Sequence, residues 1–280
     1  MSVLIFGEKG FIASNLIRNL KKNKIKYKSF SKKKLNLLSK IDNDTTRKFN
    51  RIKKVNSIII ISAIAPAKDL EMLVKNIIII KNIIVLIRKL RFKQIIYISS
   101  DAVYSDSHFS LKETSKRFPK NFHGQMHNAR EEILKIFFED KLCILRPSLL
   151  YGFDDTHNGY GPNKFYRDIK DKKKIFLFGN GEEKRDHVLI DDLIKTITLC
   201  IKKTTKGVFN ISSGNLISFN KIANLLKNRY GKQTKIIKRK RTGPMPHNGF
   251  RPISNNKILK NFKNLTFSKF ELGMSTYEKN

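Results

Sequence analysis

Apolar residues fall in short runs separated by glycine and polar segments, and the spacing changes along the chain. Val3-Leu4-Ile5-Phe6 is an unbroken run of strand length that stops at Gly7. Beyond Gly10 the apolar positions take helical spacing, with Leu16, Ile17 and Leu20 on one face. The pattern predicts a strand over 3–6, a helix over 10–22 and a strand over 25–30. Ser57–Ser62 is a run of isoleucines of the kind that suits a strand covered on both faces. A long helix over 69–90, a strand over 93–98, a helix over 124–139 and a strand over 141–145 come next. This alternation predicts an α/β fold with a doubly wound parallel sheet and right-handed crossovers. After Pro147 the rhythm breaks into loops rich in Gly, Pro and Asn. A short strand over 175–178, a helix over 191–202, a strand over 207–211 and a helix over 219–230 punctuate them, and the last fifty or so residues read as basic and loop-rich.

The first transition carries the most chemistry. Gly7-x-x-Gly10-x-x-Ala13 joins a strand to a helix N-terminus. Glycines let the backbone approach a ligand, and the free N–H groups of the first helical turn favour an anion. This is the form of a pyrophosphate cradle. A short glycine motif of this kind also occurs in ordinary strand–turn–helix units, so its weight depends on motifs elsewhere in the chain.

Composition changes the picture in one respect. The 280 residues carry 58 Lys and Arg against 23 Asp and Glu, a formal net charge of +35. Such a charge suits a polyanion binder. Yet the lysines are scattered, and the densest clusters, such as 21–28 and 235–241, show no interleaved aromatics. The reading adopted is a compositional bias toward lysine, with no specific nucleic-acid partner. The most apolar stretch, 77–87, is interrupted by Lys81 and Asn82 and is too short to span a bilayer. The chain opens directly into its first strand, and Cys143 and Cys200 lie in apolar stretches at no metal-like spacing. A cytoplasmic protein with reduced thiols and no membrane span is expected.

Five blocks in order then carry a resemblance. They are the glycine turn; Ile95-Ile-Tyr-Ile-Ser99-Ser100-Asp101-Ala-Val-Tyr104; Leu145-Arg146-Pro147-Ser-Leu-Leu-Tyr151-Gly152; Phe178-Gly-Asn-Gly-Glu-Glu-Lys-Arg185-Asp186-His187-Val-Leu-Ile-Asp191-Asp192-Leu; and Gly207-Val-Phe-Asn210-Ile-Ser-Ser-Gly214. The chain resembles the extended short-chain dehydrogenase/reductase family, the NAD(P)-dependent nucleotide-sugar epimerases and dehydratases. The resemblance implies a Rossmann sheet built from 1–148 and 183–211. It also implies a smaller mixed α/β substrate-binding subdomain from 149–182 and 212–280. The implied activity is that of an epimerase, reductase or dehydratase on a nucleotide-linked sugar, in surface-polysaccharide synthesis. A homodimer packed through the two long helices is implied as well.

One block departs from the family pattern. The family's catalytic Tyr-x-x-x-Lys aligns with His123-Gly-Gln-Met-His127, and both positions are histidine. The i, i+4 spacing keeps both rings on one helical face. Three readings stand side by side. His123 replaces the tyrosine as acid–base, because a histidine titrates near about 6.5, and His127 holds the ribose. Alternatively, Asp101 with Ser100 does the proton work. In the third, the site is degenerate and the chain is a non-catalytic cofactor-binding or interaction protein. A metal reading over His123, His127 and Glu131 lacks a metalloprotease arrangement, and no metal is expected. Tyr151 and Tyr160 are further loop candidates to replace the missing tyrosine.

The remaining site residues come from the resemblance. Gly7, Gly10, Phe11, Ile12, Ala63, Asn76, Ser99, His127 and Pro147 are expected around the cofactor. The end of the second strand, Tyr27-Lys-Ser29-Phe-Ser31-Lys32, carries no carboxylate. Ser31 and Lys32 therefore favour NADP over NAD, since an acidic residue there would hold the NAD ribose. Arg185 and Arg241 are the diphosphate candidates, by bidentate guanidinium contact. Asn163 is expected in the sugar site.

Overall fold

The computed structural model describes residues 2–52, 54–155 and 159–275. The first half runs β1 (Ser2–Phe6), α1 (Phe11–Lys22), β2 (Lys26–Phe30), α2 (Asn43–Asn50), β3 (Ser57–Ile60), α3 (Leu70–Ile87), β4 (Gln94–Ile98), α4 (Phe122–Phe138) and β5 (Leu142–Pro147). The second half runs β6 (Leu149–Tyr151), α5 (Pro162–Lys170), β7 (Ile175–Phe178), β8 (Lys184–Leu189), α6 (Ile190–Lys203) and β9 (Gly207–Ile211). It ends with β10 (Leu216–Ser218), α7 (Phe219–Tyr230), β11 (Ile236–Arg239), β12 (Phe250–Arg251), α8 (Asn256–Asn261) and α9 (Phe270–Met274).

Two compact units result. The first comprises 1–105, 115–147 and 194–209; the second comprises 106–114, 148–193 and 210–280. In the first, a six-stranded sheet has the order β2-β1-β3-β4-β5-β9. The pairs β1–β2, β1–β3, β3–β4 and β4–β5 are all parallel. Every residue of β3, β4 and β5 is buried, as the continuous apolar runs require of a sheet covered on both faces. The core on one side joins Leu4, Ile58 and Ile60 to Ile80 and Ile83 of α3 and Leu134 of α4. The chain steps from β1 to β2, then returns past β1 to β3, so the winding reverses beside β1. In open α/β sheets that reversal opens a crevice at the strand C-termini.

Local signals set the helices. Asp69 caps α3 by accepting a hydrogen bond from Met72 N at 2.7 Å, and Asn121 caps α4 by accepting one from Gly124 N at 2.8 Å. Gly124 sits where α4 presses on the loop after β4. A Cβ there would lie 2.2 Å from Ala102 O and 2.4 Å from Pro119 Cβ. Any larger residue would push α4 away from Ser100 and Asp101.

The second unit holds β10-β8-β12, with β6 also on β8, and a separate β7–β11 pair. Its core gathers Tyr151, Phe165, Leu177, Phe219, Ile222 and Leu226. Here the structure departs from the pattern of the sequence. Residues 149–151 and 184–189, expected as loop, are strands, and 162–170 is a helix. The polar helix α2 is also unforeseen. β8 begins Lys-Arg-Asp-His, which hides the strand, yet Asp186, His187, Val188 and Leu189 are all buried. The expected strand over 57–62 ends at Ile60, where the chain turns into the crevice.

Candidate active site

The glycine turn forms the floor of the crevice. Gly7 has φ +102°, and a Cβ on it would stand 2.9 Å from Ser62 N. Glycine is thus needed both for the dihedral and for the approach of β1 to the chain after β3. Gly10 caps α1 in an extended conformation without a side-chain cap bond, which leaves the first-turn N–H groups of α1 for another acceptor. A Cβ built on Gly10 meets no protein atom within 4 Å, so it would project into open space. A cavity of about 320 Å³ lies there, lined among others by Gly7, Glu8, Gly10, Ser31, Lys32 and Ala63. A backbone cradle with free helical N–H groups beside such a cavity fits a dinucleotide pyrophosphate. Phe11 and Ile12 open α1 behind it and are half-buried.

The crevice also holds a group that the sequence does not announce. Glu8, between the two glycines, turns its carboxylate to Lys34, whose Nζ donates to Oε1 at 3.0 Å and Oε2 at 3.1 Å. The Lys34 hydrogen bond holds the Glu8 carboxyl below the usual range, and Ser31 and Ser29 hydroxyls add to that effect. A carboxylate therefore stands at the end of β2 although β2 itself carries none. Separation in sequence conceals it.

The second cluster is built by β4, the turn after it and α4. Ser100 caps a short 3-10 turn over Asp101–Val103; its Oγ accepts from Ala102 N at 3.1 Å and donates to Asp101 Oδ1 at 3.4 Å. On α4 the rings of His123 and His127 meet edge to face, with centroids 4.8 Å apart. Burial pulls the His123 pKa below the ordinary histidine value, while the negative charge of Asp101 opposes the shift. His123 Nδ1 is buried and has no hydrogen-bond partner among the described residues. His127 is buried, and its pKa is held well below the ordinary value by desolvation, then by His123 and Arg130. Both rings are neutral at pH 7 for the same first reason, loss of hydration of the charged form.

His127 is locked in place. Its Nδ1 lies 2.8 Å from Tyr97 Oη on β4. Burial raises the Tyr97 pKa, so the phenol stays protonated. A phenol donating to Nδ1 puts the imidazole proton on Nε2. Arg130, one turn further along α4, is buried with its Cζ 5.1 Å from the Tyr97 ring centroid. Its Nη2 donates to Ser62 O at 2.8 Å, and its Nη1 reaches Asn76 Oδ1 at 3.4 Å. Asn76 in turn accepts from Ile64 N and donates to Ile64 O, each at 2.9 Å. Asn76 thus braces the chain after β3, beside Ala63. Sequence reasoning misses Tyr97 and Arg130, because a strand tyrosine and a helical arginine carry no signal until β4, α4 and the β3 loop are packed together.

Ser99, expected near the cofactor, donates its hydroxyl to Glu131 Oε1 at 2.6 Å. The same carboxylate receives Arg146 Nε at 2.9 Å and Nη2 at 2.6 Å, and Arg117 Nη1 at 3.3 Å. Glu131 is committed to this ion network, which removes it from any ligand set with His123 and His127. Pro147 closes β5 and is buried.

The expected substrate residues lie in the second unit. Glu183 pairs with Arg185 at 3.2 Å and with Arg241 at 3.6 Å, so the two arginines converge on one carboxylate. Asn163 is buried; its Oδ1 accepts from Gly152 N at 3.2 Å, and its amide donates to Asp155. Arg251 pairs with Asp106 at 3.2 Å, and His247 binds the same carboxylate. Burial pushes the His187 pKa down to about 3, which makes it a neutral structural group. Tyr151 is fully buried in this unit's core, and Tyr160 packs on Phe165, Phe178 and Phe219. The Tyr151 Oη has no hydrogen-bond partner among the described residues, and the Tyr160 Oη accepts from Phe178 N at 3.3 Å.

A reversing parallel sheet, a glycine cradle and a helix carrying a pair of histidines fit a dinucleotide-dependent enzyme of the Rossmann class. Comparison with known proteins agrees. Residues 3–212 match the NAD dependent epimerase/dehydratase family, and the chain belongs to that family. It is 27% identical over 260 residues to ADP-L-glycero-D-manno-heptose-6-epimerase of Brachyspira hyodysenteriae (strain ATCC 49526 / WA1), covering 81% of each chain. Among solved structures, UDP-glucuronic acid 4-epimerase from Bacillus cereus, in complex with UDP-glucuronic acid and NAD, superposes with TM-score 0.82. Its identity is 21%, over 100% of this chain and 99% of that one. UDP-glucose 4-epimerase of Thermus thermophilus, complexed with NAD, gives 0.84 at 18% identity over 99% of each. At such identities the structures establish a shared fold. No helix among the described residues is long and apolar enough to cross a membrane.

Proposed function

We propose that this chain is an epimerase acting on a nucleotide-linked sugar, with His123 as its acid–base group. The observation that carries the proposal is His123 itself. It is a neutral imidazole with a buried, unpartnered nitrogen, in the electrostatic field of Asp101, on the helix where the family places its proton-transfer residue. The similar epimerases act on ADP- and UDP-linked sugars, which supports a substrate of that class.

The bound nicotinamide supplies hydride acceptance and return. The chain's own groups handle the proton. His123, neutral at pH 7, takes the proton from the reacting sugar hydroxyl, and the Asp101 carboxylate stabilises the imidazolium that forms. Ser100 offers its hydroxyl to the reacting oxygen. His127, with its proton on Nε2, is a neutral donor for the ribose. Arg130 keeps a fixed positive charge behind it, because a guanidinium stays protonated. Arg185 and Arg241 are the groups for the diphosphate, exchanging Glu183 for phosphate oxygens. A homodimer is part of the same proposal: α3 leaves Leu70 and Val74 exposed, and α4 leaves Ile136 and Phe137.

The test is His123→Ala, assayed by conversion of a panel of nucleotide sugars and by binding of the reduced dinucleotide. Loss of acid–base catalysis lowers kcat by about 10²–10⁴-fold, while dinucleotide affinity is retained. Unchanged turnover would remove His123 from the chemistry. Dinucleotide binding without turnover of any sugar by the wild-type chain would favour the degenerate, non-catalytic reading.

A further inference from the structure

We infer that Glu8 is the residue that selects NAD over NADP, acting as a built-in anion at the position a 2′-phosphate would take. The inference rests on the dinucleotide reading of the crevice and deepens it.

Four charged side chains bear on this corner: Glu8, Lys9 and Lys32 line the cavity, and Lys34 closes on Glu8. By count the corner is basic, and the lysines alone would favour a phosphorylated ribose. Geometry redirects that charge. The Lys34 ammonium is spent on both Glu8 oxygens, at 3.0 and 3.1 Å. The carboxylate spans from the glycine turn, where the pyrophosphate would rest, to the end of β2, where dinucleotide-binding sheets read the ribose. Lys34 and the Ser31 hydroxyl form an anion site, and Glu8 already fills it.

The two cofactors meet this site differently. A ribose with free hydroxyls can donate to the Glu8 carboxylate, which is an acceptor only. A 2′-phosphate brings a second anion to the same spot and must displace Glu8 from Lys34 or sit against it. Gly7 presses against Ser62 N immediately before Glu8, so rotation of the Glu8 side chain is the nearest route to that displacement. An acid at the end of β2 would do the same work; here the first turn supplies it.

The experiment is a fluorescence titration of the full chain with NADH and with NADPH, for wild type, Glu8→Gln, and Glu8→Gln with Lys34→Met. The chain contains no tryptophan, so the reduced nicotinamide signal is read without indole background. Wild type should bind NADH more tightly. Glu8→Gln, which keeps the side-chain volume and frees Lys34, should tighten NADPH by about tenfold or more relative to NADH. Adding Lys34→Met should abolish that gain, and added salt should shrink it. A wild-type preference for NADPH would overturn the inference, and so would an unchanged affinity ratio in Glu8→Gln. Failure of the wild type to bind either dinucleotide would overturn the cofactor reading itself, whereas equal affinities would remove only the role of Glu8.

Discussion

Glu131 offers the sharpest test of how the site is held together. Its side chain and that of Arg146 are 0% and 1% exposed, and they meet through two hydrogen bonds at 2.9 and 2.6 Å. Glu131→Ala leaves the Arg146 guanidinium buried without its counter-charge and strips Ser99 of its acceptor. Breaking a buried pair from one side costs about 3–5 kcal/mol, because the surviving ion keeps its desolvation penalty. Against a typical total of about 5–15 kcal/mol, that is a large share. Glu132→Ala is the matched control. Glu132 is next in sequence, bonded to Arg117 and Lys135, but its side chain is 47% exposed. A surface pair of that kind is worth about 0–1 kcal/mol. Urea unfolding followed by far-ultraviolet circular dichroism measures both. A Glu131→Ala loss of under about 1 kcal/mol, equal to the control, would refute the claim that desolvation dominates here. Replacing both partners by apolar residues, Glu131→Leu with Arg146→Met, should recover much of the loss, since no unpaired charge remains. Activity should track stability, because Glu131 ties α4, the helix of His123 and His127, to β5 and to the strand end before Ser100.

Two other outcomes are expected. With His123 as the proposed base, the active form is the neutral ring, whose pKa burial lowers, so kcat/KM should hold through neutral pH and fall as acid protonates the ring; Asp101→Asn removes the charge that raises this pKa and should move the acid limb to lower pH. An acid limb that stays in place or moves up would detach Asp101 from His123. Light scattering should give a solution mass twice that of the chain if α3 and α4 form the dimer face, and half that value would reject the dimer.

Much of the first unit is legible in the sequence because its signals are local. An apolar run ending in Gly7, a helix with small Ala13 on its buried face, and the i, i+4 pair His123 and His127 are all readable within a few residues. What escapes depends on pairing between distant segments. β8 carries four polar residues at its start and reads as loop, but its neighbours β6, β10 and β12 make it central to its sheet. Tyr97 sits in a run of isoleucines and reads as core until α4 brings His127 to its hydroxyl. Glu8 is an unremarked residue inside a glycine turn until the β1–β2 pairing sets it against Ser31 and Lys34. β2 carries no acid, and the first turn brings the Glu8 carboxylate to its end.

The two histidines make chemical sense as a pair. A tyrosine must be brought down from about 10 to act as a base near neutrality, and an adjacent ammonium does that by favouring the phenolate. An imidazole needs no such help: burial already leaves His123 in its basic form at pH 7. A lysine ammonium at 127 would press the His123 pKa lower still and weaken it as a base. With a neutral His127, the nearest fixed cation on the helix becomes Arg130, held behind the ring by Ser62 and Asn76. The carboxylate facing His123 is Asp101, which acts in the opposite sense and keeps the pKa from falling further. Replacing the base thus reverses the charge its surroundings should carry, from a cation that lowers a pKa to an anion that raises one. Asp101 beside His123 meets that requirement, and it supports the proposal that the pair is a working substitution.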